Sequence, residues 1–317
     1  MNTIQASTIS SQRPKWGAVE KVHWLSQQLI KRCYQQEVVT KIQQLADRFD
    51  VNQYSALSYD PSKYPLYLVK NKAWNNELPV ILVTGGVHGY ETSGVQGAIR
   101  FLETQAENYS KQFNFIVAPC ISPWGYETIN RWNPYCVDPN RSFYTANLDL
   151  ETAHQQVSEE ANSLMKALAG MGHNYLAHID LHETTDSDNN EFIPALNARD
   201  GKVSNIRETP DGFYLVDDSD NSQPDCAKHI IEAVSNITHI APADEQGCII
   251  GSPVVQEGVI NYTLESLGLC AGVTNAKYRI TTEVYPDSPK ANPEICIQAQ
   301  VTSVTSLLEY LRVNSIE

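Results

Sequence analysis

Short unbroken apolar runs alternate along the chain with longer stretches of helical spacing. Val19, Val22, Leu25, Leu29, Ile30 and Cys33 recur close to a helical period, which predicts a helical region over 16–50. Residues 65–69 read as a strand. Residues 79–84 are continuously apolar and end at Gly85-Gly86, the pattern of a strand covered on both faces in a parallel sheet. The runs at 113–119 and 175–181 repeat it, and 279–284 adds a late strand. Helices are predicted over 91–105, 150–169, 225–236 and 292–312. Strands alternating with helices predict an α/β fold, a three-layer α/β/α sandwich around a mixed, mostly parallel central sheet. Long loops are expected at 123–148, 183–223 and 241–258, where they would wall a cleft. Residues 1–15 are polar and read as a loose segment, with one domain over 16–317.

Composition narrows the function. The 317 residues are 42% hydrophobic and 19% charged, ordinary for a globular chain. A chain of this length buries enough surface to fold without a disulfide or metal staple. With 23 basic and 37 acidic residues, the net charge is −14. No nucleic-acid partner is expected, because that binding needs clustered cations. An anionic membrane surface is disfavoured for the same reason, and no apolar run approaches a membrane span. The first residues lack the basic start and apolar core of a secretory signal. The seven cysteines are odd in number and form no Cys-x-x-Cys. Reduced thiols and a cytoplasmic setting are therefore expected.

Four segments carry candidate chemistry. His88-Gly89-Tyr90-Glu91 follows the 79–84 strand at the edge where sheet ligands bind. An imidazole and a carboxylate one turn apart suit Zn²⁺, although an acidic residue in a first helical turn is common without a metal. His182, after Ile179-Asp180-Leu181, emerges at the same edge and completes a His₂Glu set with an open position. Asp138-Pro139-Asn140-Arg141, preceded by Arg131, offers guanidinium groups suited to carboxylates. Asp138 can hold the far nitrogen of a ligating histidine, and the same tetrapeptide is also ordinary turn chemistry. Glu283, in Thr281-Thr282-Glu283-Val284, ends an apolar strand, where a carboxylate needs a partner or a task. It is a candidate general base, with Glu265 as a rival. His178 is expected to be a buried, hydrogen-bonded histidine, and His154 and His173 to face solvent. The acidic stretch 217–220 reads as a solvated turn.

In this order the motifs resemble the zinc carboxypeptidase family of the funnel type, over roughly residues 79–313. The resemblance implies one Zn²⁺ per chain held by His88, Glu91 and His182, with Asp138 supporting the first histidine. It implies that Asn140 and Arg141 hold the substrate's terminal carboxylate and that Arg131 stabilises the oxyanion. Glu283 would be the general base, and Tyr262 the mobile tyrosine upstream of it. The implied activity is removal of a C-terminal amino acid from peptides. A related branch, aspartoacylase and succinylglutamate desuccinylase, cleaves small N-acyl amino acids. The spacing from Glu91 to His182 is close to that branch, whereas the short stretch after Glu283 resembles the compact bacterial peptidases. A non-catalytic protein that binds zinc or a carboxylate is a further alternative. Neither the oligomeric state nor the preferred side chain is legible.

Overall fold

Ten strands hydrogen-bond into one sheet in the computed structural model, which describes residues 14–144, 157–204 and 208–314. In chain order they are β1 (Phe49–Ala56), β2 (Pro65–Asn71), β3 (Val80–Gly85), β4 (Asn114–Ala118), β5 (Tyr175–Glu183), β6 (Tyr214–Asp218), β7 (Cys248–Ile249), β8 (Ser252–Gln256), β9 (Val259–Tyr262) and β10 (Tyr278–Val284). Their order across the sheet is β1-β2-β4-β3-β5-β10-β6-β9-β8-β7. The expected mixed sheet is present. Parallel pairing joins β4, β3, β5 and β10 at its centre, and β6 to β9. The flanking pairs are antiparallel, and parallel pairs do not outnumber them. Neighbours such as β1 and β2, or β8 and β9, are joined by connections too short for a parallel crossover.

The helices are α1 (Ala18–Ser26), α2 (Thr40–Gln44), α3 (Thr92–Thr104), α4 (Ala106–Tyr109), α5 (Pro123–Thr128), α6 (Glu159–Met171), α7 (Ile193–Asp200), α8 (Pro224–Val234) and α9 (Pro293–Asn314). Strand alternation sorts the core into two layers. Ile81, Val83, Ile179, Leu181 and Ile280 pack under α3, α8 and α9. Leu82, Ile116 and Ala118 point the other way, onto Ala161, Leu164 and Leu168 of α6. Fully burying an aliphatic side chain such as Leu82 contributes about 1.5–3 kcal/mol. Thr84, Asp180 and His182 occupy the α6 face at the C-terminal ends of the parallel strands.

Several expectations are corrected. Residues 16–50 are not one helix. Val19 and Val22 of α1 are 77% and 66% exposed, so no core holds their period together. The chain leaves the helix where the N–H groups of Lys31 and Arg32 both bond to Glu127 O. It resumes as a π-helical turn over Gln35–Val39 and α2, and then becomes β1, whose ladder to β2 satisfies its backbone. The predicted loops contain α5, a π-helical turn over Asp188–Phe192, α7 and strands β6 to β8. Asp217 and Asp218 are buried rather than solvated. Asp217 accepts from Ser222 and from the N–H of Gln223, and Asp218 pairs with Arg279. His178 is fully buried, with Nε2 2.9 Å from Thr84 Oγ1. His173 stacks on Trp74 instead of standing free in solvent. His154, the start of the helix predicted at 150–169, and residues 1–13 of the loose segment lie outside the described residues. Ser158 caps α6 by accepting from Ala161 N. All seven cysteines are free thiols, and no helix among the described residues is long and apolar enough to cross a membrane.

Candidate active site

The turn after β3 brings the first two residues of the site into place. Gly86 has φ +60°, and a Cβ there would lie 2.6 Å from Val95 Cγ2. Glu91 is the N-cap of α3, and its backbone N–H donates to His88 O at 3.2 Å. Gly94, in the first turn of α3, presses on β5; a Cβ would come within 2.2 Å of Leu181 O. That close approach sets Glu91 beside His182. His88, Glu91 and His182 are all buried, and their candidate ligand atoms lie within 4.8 Å of one another.

These residues fit a metal ion. His88 Nδ1 is 2.7 Å from Glu91 Oε1, and His182 Nδ1 is 2.6 Å from Glu91 Oε2. Two imidazole nitrogens thus converge on one buried carboxylate, and Glu91 Oε2 has no well-aligned hydrogen bond to either. The opposite nitrogens are both committed: His88 Nε2 donates to Asp138 Oδ1 at 3.0 Å and His182 Nε2 to Asp180 Oδ2 at 2.7 Å. Each ring is thereby fixed with Nδ1 as the free ligand atom. Two neutral imidazoles and one carboxylate form a donor set suited to zinc.

In the sequence Asp180 reads only as part of the strand before His182. It is fully buried one rung before His182 on the same face of β5, and it also accepts from Thr84 Oγ1 at 2.6 Å. An Asp-x-His alternation in an otherwise apolar strand was the available signal. Asp138 caps the 3₁₀ turn Pro139–Arg141 by accepting from Asn140 N. Burial opposes its charge, but Arg131 and His88 hold its carboxyl well below the usual range.

Arg131 lies at the rim of the same cavity. Its Nε donates to Asp138 Oδ2 and its Nη1 to Asp188 Oδ1, each at 3.1 Å, while Tyr90 OH donates to Asp188 at 2.7 Å. The ring of Phe192 lies 4.5 Å beneath the guanidinium. Asp188 and Phe192 come from the π-helical turn that the sequence did not signal. Arg141 is exposed and makes no ion pair among the described residues; its Nη1 donates to Asn140 O. Asn140 Oδ1 accepts from Cys270 N at 2.7 Å, which ties the Asn140–Arg141 turn to the wall carrying Leu269.

The cavity is about 210 Å³ and is lined by His88, Glu91, Arg131, Asn140, Arg141, Tyr262 and Glu283. Glu283 pairs across the parallel ladder with His182, so their side chains share a face. Burial, reinforced by Glu91, pushes its carboxyl up to about 8, while His182 and a hydrogen bond from Thr184 favour the charged form. Val216, Ile250, Leu269 and Thr281 form an uncharged part of the lining. Glu265 does not line it: its half-exposed side chain pairs with Arg279 Nη1 at 2.6 Å. Thus the structure gathers His88, Glu91, Arg131, Asp138, Asn140, Arg141, His182, Tyr262 and Glu283 about one cavity and leaves Glu265 outside it.

Comparisons with known proteins agree with this geometry. Residues 77–209 match the family model for the succinylglutamate desuccinylase/aspartoacylase catalytic domain. No curated protein sequence matches the chain. Among solved structures, a candidate metallopeptidase from Shewanella amazonensis superposes with a TM-score of 0.63 at 16% identity, over 93% of each chain. A metallo-carboxypeptidase from Burkholderia cenocepacia gives 0.56 at 14% identity, over 87% of this chain and 67% of that one. Bovine thrombin-activatable fibrinolysis inhibitor, solved with a tick carboxypeptidase inhibitor, gives 0.56 at 14% over 95% and 98%. At such identities the likeness to these structures is one of fold. The chain has a zinc-carboxypeptidase-like fold, and its segment 77–209 relates it to the succinylglutamate desuccinylase/aspartoacylase catalytic domain.

Proposed function

We propose that this protein is a zinc-dependent hydrolase that cuts an amide bond next to a free carboxylate, releasing a C-terminal amino acid from peptides. The observation that carries the reading is that Glu283 lines the same cavity as His88 and Glu91 of the His88–Glu91–His182 cluster and as Arg141, whose guanidinium makes no ion pair among the described residues. A bound Zn²⁺, one per chain, would supply Lewis-acid activation of water and of the scissile carbonyl. His88, Glu91 and His182 would hold it, with Asp138 and Asp180 orienting the imidazoles. Glu283 takes the proton of the attacking water and returns it to the leaving amine. Arg131, fixed by Asp138 and Asp188, donates to the oxygen that gains charge as the carbonyl becomes tetrahedral. Arg141 and Asn140 grip the substrate carboxylate, and Tyr262 closes the cavity beside it. Arg131 is already compensated by two carboxylates, so a substrate anion gains more at Arg141.

Leu269, Val216 and Thr281 line the part of the cavity tied to the carboxylate grip, which favours an uncharged side chain on the released residue. The net charge of −14 alone would have favoured basic substrates through steering.

A second reading, deacylation of small N-acyl amino acids, is favoured by the family match over 77–209. One experiment separates the two. Zinc-loaded protein is assayed on blocked dipeptides with free C-termini and on N-acetyl-aspartate and N-succinyl-glutamate, with a chelator control. Chelator-sensitive release of C-terminal amino acids is expected. Cleavage of the acyl amino acids alone overturns the peptidase reading, and zinc binding without any turnover points to a binding protein.

A further inference from the structure

Glu283 has two carboxylate oxygens, and the fold treats them differently. Thr184 N donates to Val284 O at 2.9 Å, which extends the β5–β10 pairing past Glu183 and brings the Thr184 side chain beside Glu283. Thr184 Oγ1 donates to Glu283 Oε2 at 2.9 Å. The same hydroxyl is 2.7 Å from the hydroxyl of Tyr214, which is fully buried and stands opposite Glu283 in the β6–β10 register. Threonine has one hydroxyl proton, and an ionised carboxylate only accepts. When Glu283 is ionised, as the attacking role requires, Tyr214 therefore donates to Thr184, and Thr184 to Glu283. Three neighbouring strands, β6, β5 and β10, supply one directed chain.

We infer that Thr184 is a positioning residue, backed by Tyr214, which ties down Glu283 Oε2 so that Oε1 is the oxygen that exchanges the proton. This rests on the reading of Glu283 as the general base. The last torsion of a glutamate is broad, so an untethered carboxylate would sweep both oxygens through the cavity. Burial and the charges of Glu91 and Asp188 disfavour its ionised form, which the bond from Thr184 favours. Neither Thr184 nor Tyr214 was singled out from the sequence, because a Thr after a His-Glu pair and a Tyr in an unrecognised strand carry no signal of their own.

The test compares Thr184→Val, Thr184→Ser, Tyr214→Phe and Glu283→Gln as full-length protein. Two measurements are made. The first is kcat and KM on whichever substrate the wild type cleaves. The second is the protonation midpoint of Glu283 in metal-free protein, read from the carboxyl infrared band absent in Glu283→Gln. Thr184→Val is expected to lower kcat about ten- to a hundredfold with little change in KM, the cost of a misaligned reacting group. It should also raise the midpoint, since a hydrogen bond to the ionised form is gone. Thr184→Ser should restore both, and Tyr214→Phe should show a smaller effect in the same direction. A midpoint unmoved in Thr184→Val overturns the inference even before a substrate is in hand. So does an unchanged kcat, or a serine variant as impaired as the valine one. If Glu283→Gln itself keeps turnover, the reading of Glu283 as base fails first. If Glu283→Gln is inactive and Thr184→Val is not, the tether alone fails.

Discussion

Replacing Asp180 by Asn should weaken metal binding about tenfold without disturbing the fold. Asp180 is fully buried and makes two short contacts, accepting from His182 Nε2 at 2.7 Å and from Thr84 Oγ1 at 2.6 Å. Asparagine has the same shape. Its amide oxygen can serve His182, and its NH₂ then faces Thr84, whose hydroxyl turns to His178 Nε2, already 2.9 Å away. This requires His178 to carry its proton on Nδ1 instead of Nε2; the contacts around position 180 are then kept and the main loss is the charge. A hydrogen bond to a charged acceptor is worth roughly twice a neutral one, so the loss is about 1.4 kcal/mol, or tenfold in affinity. That is the lower end of the ~10–100-fold effect of removing partners of metal-bound histidines. Asp180→Ala leaves the His182 N–H and the Thr84 hydroxyl without this acceptor in a dry site, and should approach the upper end, about 2.7 kcal/mol. Zinc competition against a chromophoric chelator at neutral pH measures both, with melts of the metal-free proteins as the control for folding. Wild-type affinity in Asp180→Asn, or a greater loss in Asp180→Asn than in Asp180→Ala, refutes the reasoning.

Three further variants have expected outcomes. Glu283→Gln should abolish turnover with zinc retained. In metal-free protein, wild type should lose stability relative to this variant as pH rises from 4.5 toward about 8, because folding raises the Glu283 pKa over that window and the folded state holds the proton more tightly. Urea unfolding at both ends checks it, and parallel curves refute it. Glu265→Ala should keep kcat within about twofold, as its half-exposed side chain lies outside the cavity and buried Arg279 keeps Asp218 as a partner; an inactive variant would restore Glu265 as the base. Val216→Asp should lower kcat/KM for a C-terminal Leu at least tenfold, on the order expected for charge in an apolar pocket, and raise it for Lys. An unaltered preference would show that this wall does not meet the released side chain.

The parts of the protein legible in the sequence are those where burial leaves a periodic mark. The strands β3, β4, β5 and β10 are covered on both faces, so their apolar runs are continuous, and the chemistry-bearing residues at their ends stand out against them. His88, His182 and Glu283 were found in that way. β6 was missed because it is short and ends in two acids that are buried only through Arg279, Ser222 and Gln223, partners distant in sequence or hidden in a turn. β1 was missed just beyond the helical region read over 16–50 because, as an edge strand whose residues after Phe49 are half-buried or exposed, it carries little apolar signal. Asp180 and Asp188 escaped for the opposite reason. Each is a polar residue whose role depends on who faces it, and that is a property of the sheet register and of an irregular turn rather than of local sequence.

The sheet order also bears on how the protein reaches its native state. Thr84 and Asp180 are 96 residues apart, and Thr184 and Glu283 are 99 apart, yet both pairs are in hydrogen-bond contact at the middle of the sheet. β5 must be flanked by β3, far upstream, and by β10, far downstream, before the site exists. Closing such loops costs entropy before any contact offsets it, and topologies dominated by distant pairings fold slowly. Metal affinity should therefore appear late in refolding, with the pairing of the last central strand. A zinc-sensitive probe followed during refolding would time the completion of the sheet itself.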